Sequence, residues 1–246
     1  MTPYTVAVLS DIHGNLAALD AVLADLAAQP HDTTVIAGDL AVNGPYPAEV
    51  LARARALGVP VIYGNTDRFL VEADDDPVVR WTREQLREDD LAYLAALPFE
   101  HRITPPGGVS PADDLLIVHA TPTDVNATLF TERTPGGTAP TPAVEAAALI
   151  GEARANLILY GHIHCASSGM IRGQRLASIG AVGYPFDGDT RAAYALVSWD
   201  GQTWRVAHRR VAYDHLAVIA ALRQVGVPRA DLFARRLAEA TFIPVE

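Results

Sequence analysis

Val6-Ala7-Val8-Leu9-Ser10-Asp11-Ile12-His13-Gly14-Asn15-Leu16 is the stretch on which the reading of the fold turns. Its first four residues are apolar on both alternating faces, the pattern of a strand covered on both sides. Leu16, Leu19, Leu23 and Leu26 then recur at helical spacing. Asp11 and His13 stand where the strand stops and the helix has not yet begun. Four more apolar runs follow, at residues 34–37, 59–63, 115–118 and 157–160, with helical patterns between most of them. Pro47 opens one such helix, ending near Gly58. Thr82 and Gln85 read as a capping box before Leu86, Leu91 and Leu94. Thr141-Pro142 caps another helix, reaching Ala155. Strands alternating with helices predict an α/β architecture.

Beyond Ser168 the pattern changes to short strands in succession, at 169–171, 175–179, 193–199 and 203–211, with the turn pair Asp200-Gly201 between the last two. These read as antiparallel. Asp214 caps a helix ending at Gly226, and Pro228 separates it from a second helix carrying Leu232, Phe233 and Leu237. Residues 120–140, rich in Thr, Pro and Gly, fit no element and read as a lid-like loop. The expectation is one domain over residues 1–246, with that loop and a helical tail at 213–246.

The composition narrows the function. Half of the 246 residues are hydrophobic, enough for a sizeable core, and 20% are charged. A net charge of −10 argues against stable binding along a nucleic-acid backbone, which needs clustered Lys and Arg. A small phosphorylated substrate remains compatible, because bound cations neutralise an acidic cluster locally. Cys165 is the only cysteine, which rules out an intrachain disulfide and a cysteine-rich zinc site. No apolar run approaches the ~20 residues of a membrane span. The first residues lack a basic segment followed by a long apolar one, so the expected location is the cytoplasm, away from any membrane. A homo-oligomer is compatible with all of this.

The chemistry lies at the strand ends. Asp11 and His13 follow the first run, Asp39 the second, Asn65 the third, His119 the fourth, and His162 and His164 the fifth. In open α/β sheets ligands bind at that edge. Carboxylates and imidazoles together suit divalent first-row ions, Mn foremost, with Fe, Zn or Ni as alternatives. Each piece alone has an ordinary reading: Asp11 as a helix cap, Gly38-Asp39 and Gly64-Asn65 as turns, His119 as a core histidine. The ordered set of five points to a metal site.

Asp11-Ile12-His13-Gly14-Asn15, Gly38-Asp39, Gly64-Asn65-Thr66-Asp67, His119 and Gly161-His162-Ile163-His164 together resemble the calcineurin-like metallophosphoesterase superfamily. Gly180-Ala181-Val182-Gly183 and Asp187-Gly188-Asp189 extend the likeness. The resemblance implies a four-layer α/β/β/α sandwich, two mixed sheets back to back with helices outside. It implies that Asp11, His13, Asp39 and His164 hold one ion. Asp39 then bridges to a second ion, completed by Asn65, His119 and His162. It also implies hydrolysis of a phosphodiester or pyrophosphate-type ester by in-line attack of a hydroxide between the ions.

One departure matters. Many members read Gly-Asn-His-Asp where this chain has Gly64-Asn65-Thr66-Asp67, and a threonine hydroxyl is too weak an acid to protonate a leaving group near neutral pH. Members lacking that histidine resemble the small bacterial and archaeal phosphodiesterase branch, which includes a retromer scaffold with little activity. A metal-bound protein-interaction scaffold and a protein phosphatase therefore stay open as alternatives. Arg68 reads either as a phosphate ligand or as a surface ion pair. Asn15 reads as a substrate contact or an N-cap, and Asp67 as an orienting group or a turn cap. Tyr184 and Arg191 are candidates for the rim, and Cys165 for a buried thiol.

Overall fold

The computed structural model describes residues 3–129, 131–134 and 137–245, with backbone only for 131–134 and 137–140. The first strand, β1 (Tyr4–Leu9), pairs in parallel with β2 (Thr33–Ile36). Its other edge takes β10 (Ala192–Trp199) antiparallel, which pairs in turn with β11 (Trp204–Val211). The second sheet runs β3 (Glu100–Ile103), β4 (Leu115–Val118), β7 (Leu157–Tyr160), β9 (Gln174–Ser178), β8 (Ser167–Ile171), with β4, β7 and β9 parallel and β3 and β8 antiparallel.

Side-chain alternation builds the layers. Val6 and Val8 point from β1 toward Leu115, Ile117, Leu157 and Leu159 of the other sheet, forming the seam between the sheets. Ala7 and Leu9 point the opposite way, into a core shared with the first helix, α1 (Leu16–Leu26), and with α2 (Pro47–Ala56). Leu116 and Ile158 point outward from the second sheet onto α6 (Ala143–Ile150). The central strands of each sheet are thus buried on both faces, as their unbroken apolar runs require. The expected four-layer α/β/β/α sandwich of two mixed sheets is the observed fold.

Several local expectations need correction. Residues 59–63 form no strand but one parallel bridge, Val61 to Ile36, because Pro60 has no N–H and the chain enters α3 (Asn65–Glu72) at once. Thr82 opens no helix. It lies inside α4 (Pro77–Glu84), its hydroxyl donating to the Val78 carbonyl, while α5 (Glu88–Ala95) starts after Arg87, whose N–H donates to Asp90. The helix after Thr141 stops at Ile150, where Gly151 takes a positive φ. The 120–140 loop contains a hairpin, β5 (Thr131–Thr134) with β6 (Gly137–Pro140). Its tip, residues 135–136, lies outside the described residues. In the tail Asp214 caps α7 (His215–Gln224) as expected, and α8 (Ala230–Glu239) packs against it.

Candidate metal centre

Parallel pairing places the carboxyl ends of β1 and β2 side by side, and those of β4 and β7 likewise. All seven residues of metal-ligand type gather where the two pairs meet, and six of them, Asp11, His13, Asp39, His119, His162 and His164, are buried. The backbone is bent to bring them there. Asp11, His13, Asp39, His162 and His164 all hold left-handed φ, between 52° and 64°. Asp, Asn and His tolerate that region better than most residues, yet each such residue costs roughly 1 kcal/mol or more. Five in one place mark a site at which local stability yields to geometry.

Two groups form around Asp39. Asp11, His13, Asp39 and His164 each offer a ligand atom, all within 4.8 Å of one another. Asp39 Oδ2 is 3.5 Å from His13 Nε2, and Asp11 Oδ1 is 3.2 Å from His164 Nε2. The other oxygen of Asp39, Oδ1, is 3.5 Å from His119 Nε2. Asn65 Oδ1 in turn lies 3.0 Å from both His119 Nε2 and His162 Nδ1.

The histidine tautomers test whether this set suits a cation. His13 Nδ1 faces the Val42 carbonyl at 3.0 Å, His164 Nδ1 that of Tyr184 at 2.6 Å, and His119 Nδ1 that of Ala37 at 2.8 Å. A carbonyl only accepts, so each Nδ1 carries a hydrogen and each Nε2 is turned inward, where its lone pair is available to a cation whenever that nitrogen is unprotonated. His13 Nε2 and His164 Nε2 then face each other at 3.1 Å. Two lone pairs at that distance repel unless an electron-pair acceptor, a proton or a metal ion, lies between them. His162 is held the other way round: Nε2 meets the Asn126 carbonyl at 3.0 Å and Nδ1 turns inward. Carbonyls behind imidazoles are the usual outer support of a metal site, and the donor set fits divalent transition ions.

The charges agree. Burial would raise the Asp39 carboxyl, but His119, His13 and His162 hold it well below the usual carboxylate range. Asp11 is likewise held down against burial by His164 and His119. Burial pushes His13 down to about 4. His119 resists burial and rises to about 9 because Asp39 and Asp11 surround it.

The surrounding residues fix this arrangement. Asp67 Oδ2 accepts the N–H groups of Asp39 (2.8 Å) and Gly64 (2.9 Å), and Oδ1 that of Leu40 (3.0 Å). Burial and Asp39 push Asp67 up to about 7, against the pull of those donors. A Cβ on Gly64 would lie 2.1 Å from Asp39 Oδ1, and one on Gly161 2.0 Å from Ser10 Oγ. Val182 and Gly183 donate to the carbonyls of Ser10 and Asp11, so the 180–183 stretch clamps the loop after β1.

Asn15 caps α1, accepting from Ala18 N–H, and donates to the Gly183 carbonyl and Tyr213 Oη. Arg68 pairs with Glu72 at 2.8 Å and lies over the Tyr63 ring, off the cavity. Arg191 pairs with Asp189 at the surface. Cys165 is half-buried, its thiol on the Phe186 carbonyl. Tyr184 does border the site, its hydroxyl donating to the Asn43 carbonyl.

A cavity of about 80 Å³ opens onto His13, Asp39, Asn65, His162 and His164, with Thr66 beside them. Its remaining wall is Asn43, Tyr184, Phe186, Phe233, Arg236 and Phe242. The tail residues among these escaped the sequence reading. The available signal was Arg236 sharing the buried face of α8 with Phe233 and Leu237. A wider groove of about 480 Å³, lined by Ala147, Ile150, Ile171 and Arg172 among others, holds none of the metal-type residues.

Residues 4–202 match the calcineurin-like phosphoesterase superfamily domain. The chain belongs to that superfamily. That superfamily is one of phosphoesterases. A metallophosphoesterase from Sphaerobacter thermophilus is 26% identical, with a TM-score of 0.75 over 96% of this chain and 99% of that one. A hypothetical protein from Pyrococcus horikoshii OT3 shares the fold at 22% identity, with a TM-score of 0.77 over 95% and 97%. A symmetrical bis(5'-nucleosyl)-tetraphosphatase of Yersinia enterocolitica is 34% identical over 111 residues, 35% of this chain and 38% of that protein. An uncharacterized protein of Methanocaldococcus jannaschii is 29% identical over 106 residues, 40% of this chain and 44% of its own. The chain therefore spans less than half the length of these two curated relatives.

Proposed function

We propose that this phosphoesterase hydrolyses a small phosphodiester or pyrophosphate-type substrate at two divalent ions, with Mn foremost and Fe, Zn or Ni as alternatives. The observation that carries the reading is Asp39, whose two oxygens face two separate groups of ligand-type side chains. Asp11, His13 and His164 would hold the first ion with it, and Asn65, His119 and His162 the second. Bound ions would acidify an attacking water and neutralise charge on the phosphoryl oxygens. The protein's own part is to fix the ligands before substrate arrives: carbonyls orient the four imidazoles, and Asp67 locks the Asp39 backbone. Thr66 stands where many relatives have a proton-donating histidine, and its buried hydroxyl has no hydrogen-bond partner among the described residues. Substrates with acidic leaving groups need no donor there, which favours phosphoanhydrides and aryl diesters over alkyl esters. The partial likeness to a dinucleotide tetraphosphatase supports the same class. The working unit is the whole chain as one domain, tail included.

The test is turnover by Mn²⁺-loaded protein on bis(4-nitrophenyl) phosphate and on diadenosine tetraphosphate, beside Asp39→Ala. Hydrolysis abolished by the substitution is the expected result. Loaded protein inert toward mono-, di- and pyrophosphate esters alike would end the reading.

A further inference from the structure

Among the described residues lining the cavity, Arg236 is the one Lys or Arg side chain. It comes from α8, beyond residues 4–202 that match the superfamily domain. It is buried, and the Ile243 carbonyl accepts from Nε and Nη2. The rings of Phe233 and Phe242 lie 5.4 Å and 5.1 Å from its guanidinium carbon. A guanidinium carried on aromatic faces is held in orientation and kept partly dry, conditions in which its charge acts strongly on a nearby anion.

We infer that Arg236 is a substrate-binding residue that steadies the departing anion, in place of the protonating group that Thr66 cannot supply. The inference rests on the phosphoesterase reading and narrows its substrates to those whose leaving group departs as an anion, a phosphate or a phenolate. Water forms the new bond to phosphorus, and the bond from phosphorus to the leaving oxygen breaks. The electron pair leaves with that oxygen, and the water's proton passes to solvent. Nothing protonates the leaving oxygen during the step; the guanidinium stabilises its charge. Arginine suits this task, since it stays protonated and its hydrogen bonds to phosphate oxygens are charge-assisted.

The experiment compares wild type, Arg236→Lys, Arg236→Gln and Arg236→Met, each loaded with Mn²⁺. Three quantities are read: metal content, the dissociation constant for inorganic phosphate by calorimetry, and kcat and KM across aryl phosphodiesters of graded leaving-group acidity. In Arg236→Gln and Arg236→Met, metal content should hold while phosphate binds about tenfold more weakly, the loss of one charged hydrogen bond. Their kcat should fall about 10²-fold, as when one charge-stabilising donor is removed, and further as the leaving group becomes more basic. Lysine should restore part of both. If Arg236→Met does not fold, Arg236→Gln and Arg236→Lys, closer in length and polarity, give the same readings. Phosphate affinity and leaving-group slope within twofold of wild type would overturn the role of Arg236 and leave the phosphoesterase reading intact. Wild type that binds phosphate through Arg236 but turns over no ester would overturn the phosphoesterase reading and the role in departure with it, leaving Arg236 a bare anion contact.

Discussion

The Asp67 carboxylate ties Asp39, Leu40 and Gly64 into one rigid corner through three N–H groups. Asp67→Asn keeps the shape but turns an NH₂ group against backbone donors. It should lower stability by about 1–3 kcal/mol in urea unfolding and reduce Mn²⁺ uptake; unchanged values of both would mean the corner holds without the carboxylate. Gly161→Ala should act similarly, since its Cβ would crowd Ser10 Oγ at 2.0 Å and Asp11 Oδ2 at 2.5 Å. An overpacking cost of about 1–3 kcal/mol, with metal uptake impaired, is the expected outcome in the same two assays. The ligand-type residues were legible in the sequence because each follows a strand, and strand ends are where apolar runs stop. The left-handed backbone that aims five of them was not legible, since it depends on contacts from distant segments such as Gly183. Arg236 was hidden for a different reason: an arginine on a helix gives no sign of whether it faces water or a cavity.

Helix α1 is moored to the first sheet by polar contacts as well as packing. Asp25 on the helix accepts from Arg209 Nε at 2.8 Å and from Tyr194 Oη at 2.6 Å. The Arg209 hydrogen bond, aided by Tyr194 and opposed by burial, holds the Asp25 carboxyl below its usual value of 3.8. A depressed carboxylate stabilises above its unfolded value, and the stabilisation is lost as pH falls through the folded one. Asp25→Ala should thus lower the unfolding midpoint at pH 7 by an amount worth up to about 1 kcal/mol, the scale of a partly exposed pair. The gap to wild type should narrow as pH falls below the usual carboxylate range; an equal gap at pH 7 and in acid would assign the loss to packing alone. At this scale the long apolar runs and the Asp214 cap were readable. The missed elements were short or atypical: β3 is a polar edge strand, Glu100-His101-Arg102-Ile103, and α3 begins in what reads as a turn dipeptide.

Across the whole molecule, cations should stabilise the fold, because they would remove the lone-pair opposition of His13 and His164 and offset the crowding of Asp11 and Asp39. Mn²⁺ at a hundredfold excess over its dissociation constant adds about 2.7 kcal/mol per site if the unfolded chain does not bind it. That should raise the unfolding midpoint by roughly 5–10 °C for a chain of this size. Chelation should reverse the shift and Asp39→Ala abolish it; a midpoint indifferent to Mn²⁺ would mean the centre does not load. The α/β alternation was legible in the apolar runs and the four layers followed from the family resemblance, whereas the enclosure of the site by the tail was not foreseeable, because no local pattern says where a terminal helix pair docks. Strand order carries one more consequence. β1 lies between β2 and β10, and Val8 pairs with Ala195, more than 180 positions later. During synthesis on the ribosome, β1 emerges with one hydrogen-bonding edge vacant, and its partner for that edge follows only after more than 180 further residues have been made. Until then the nascent protein carries an apolar strand with an open flank, a template for wrong pairing that folding helpers must shield.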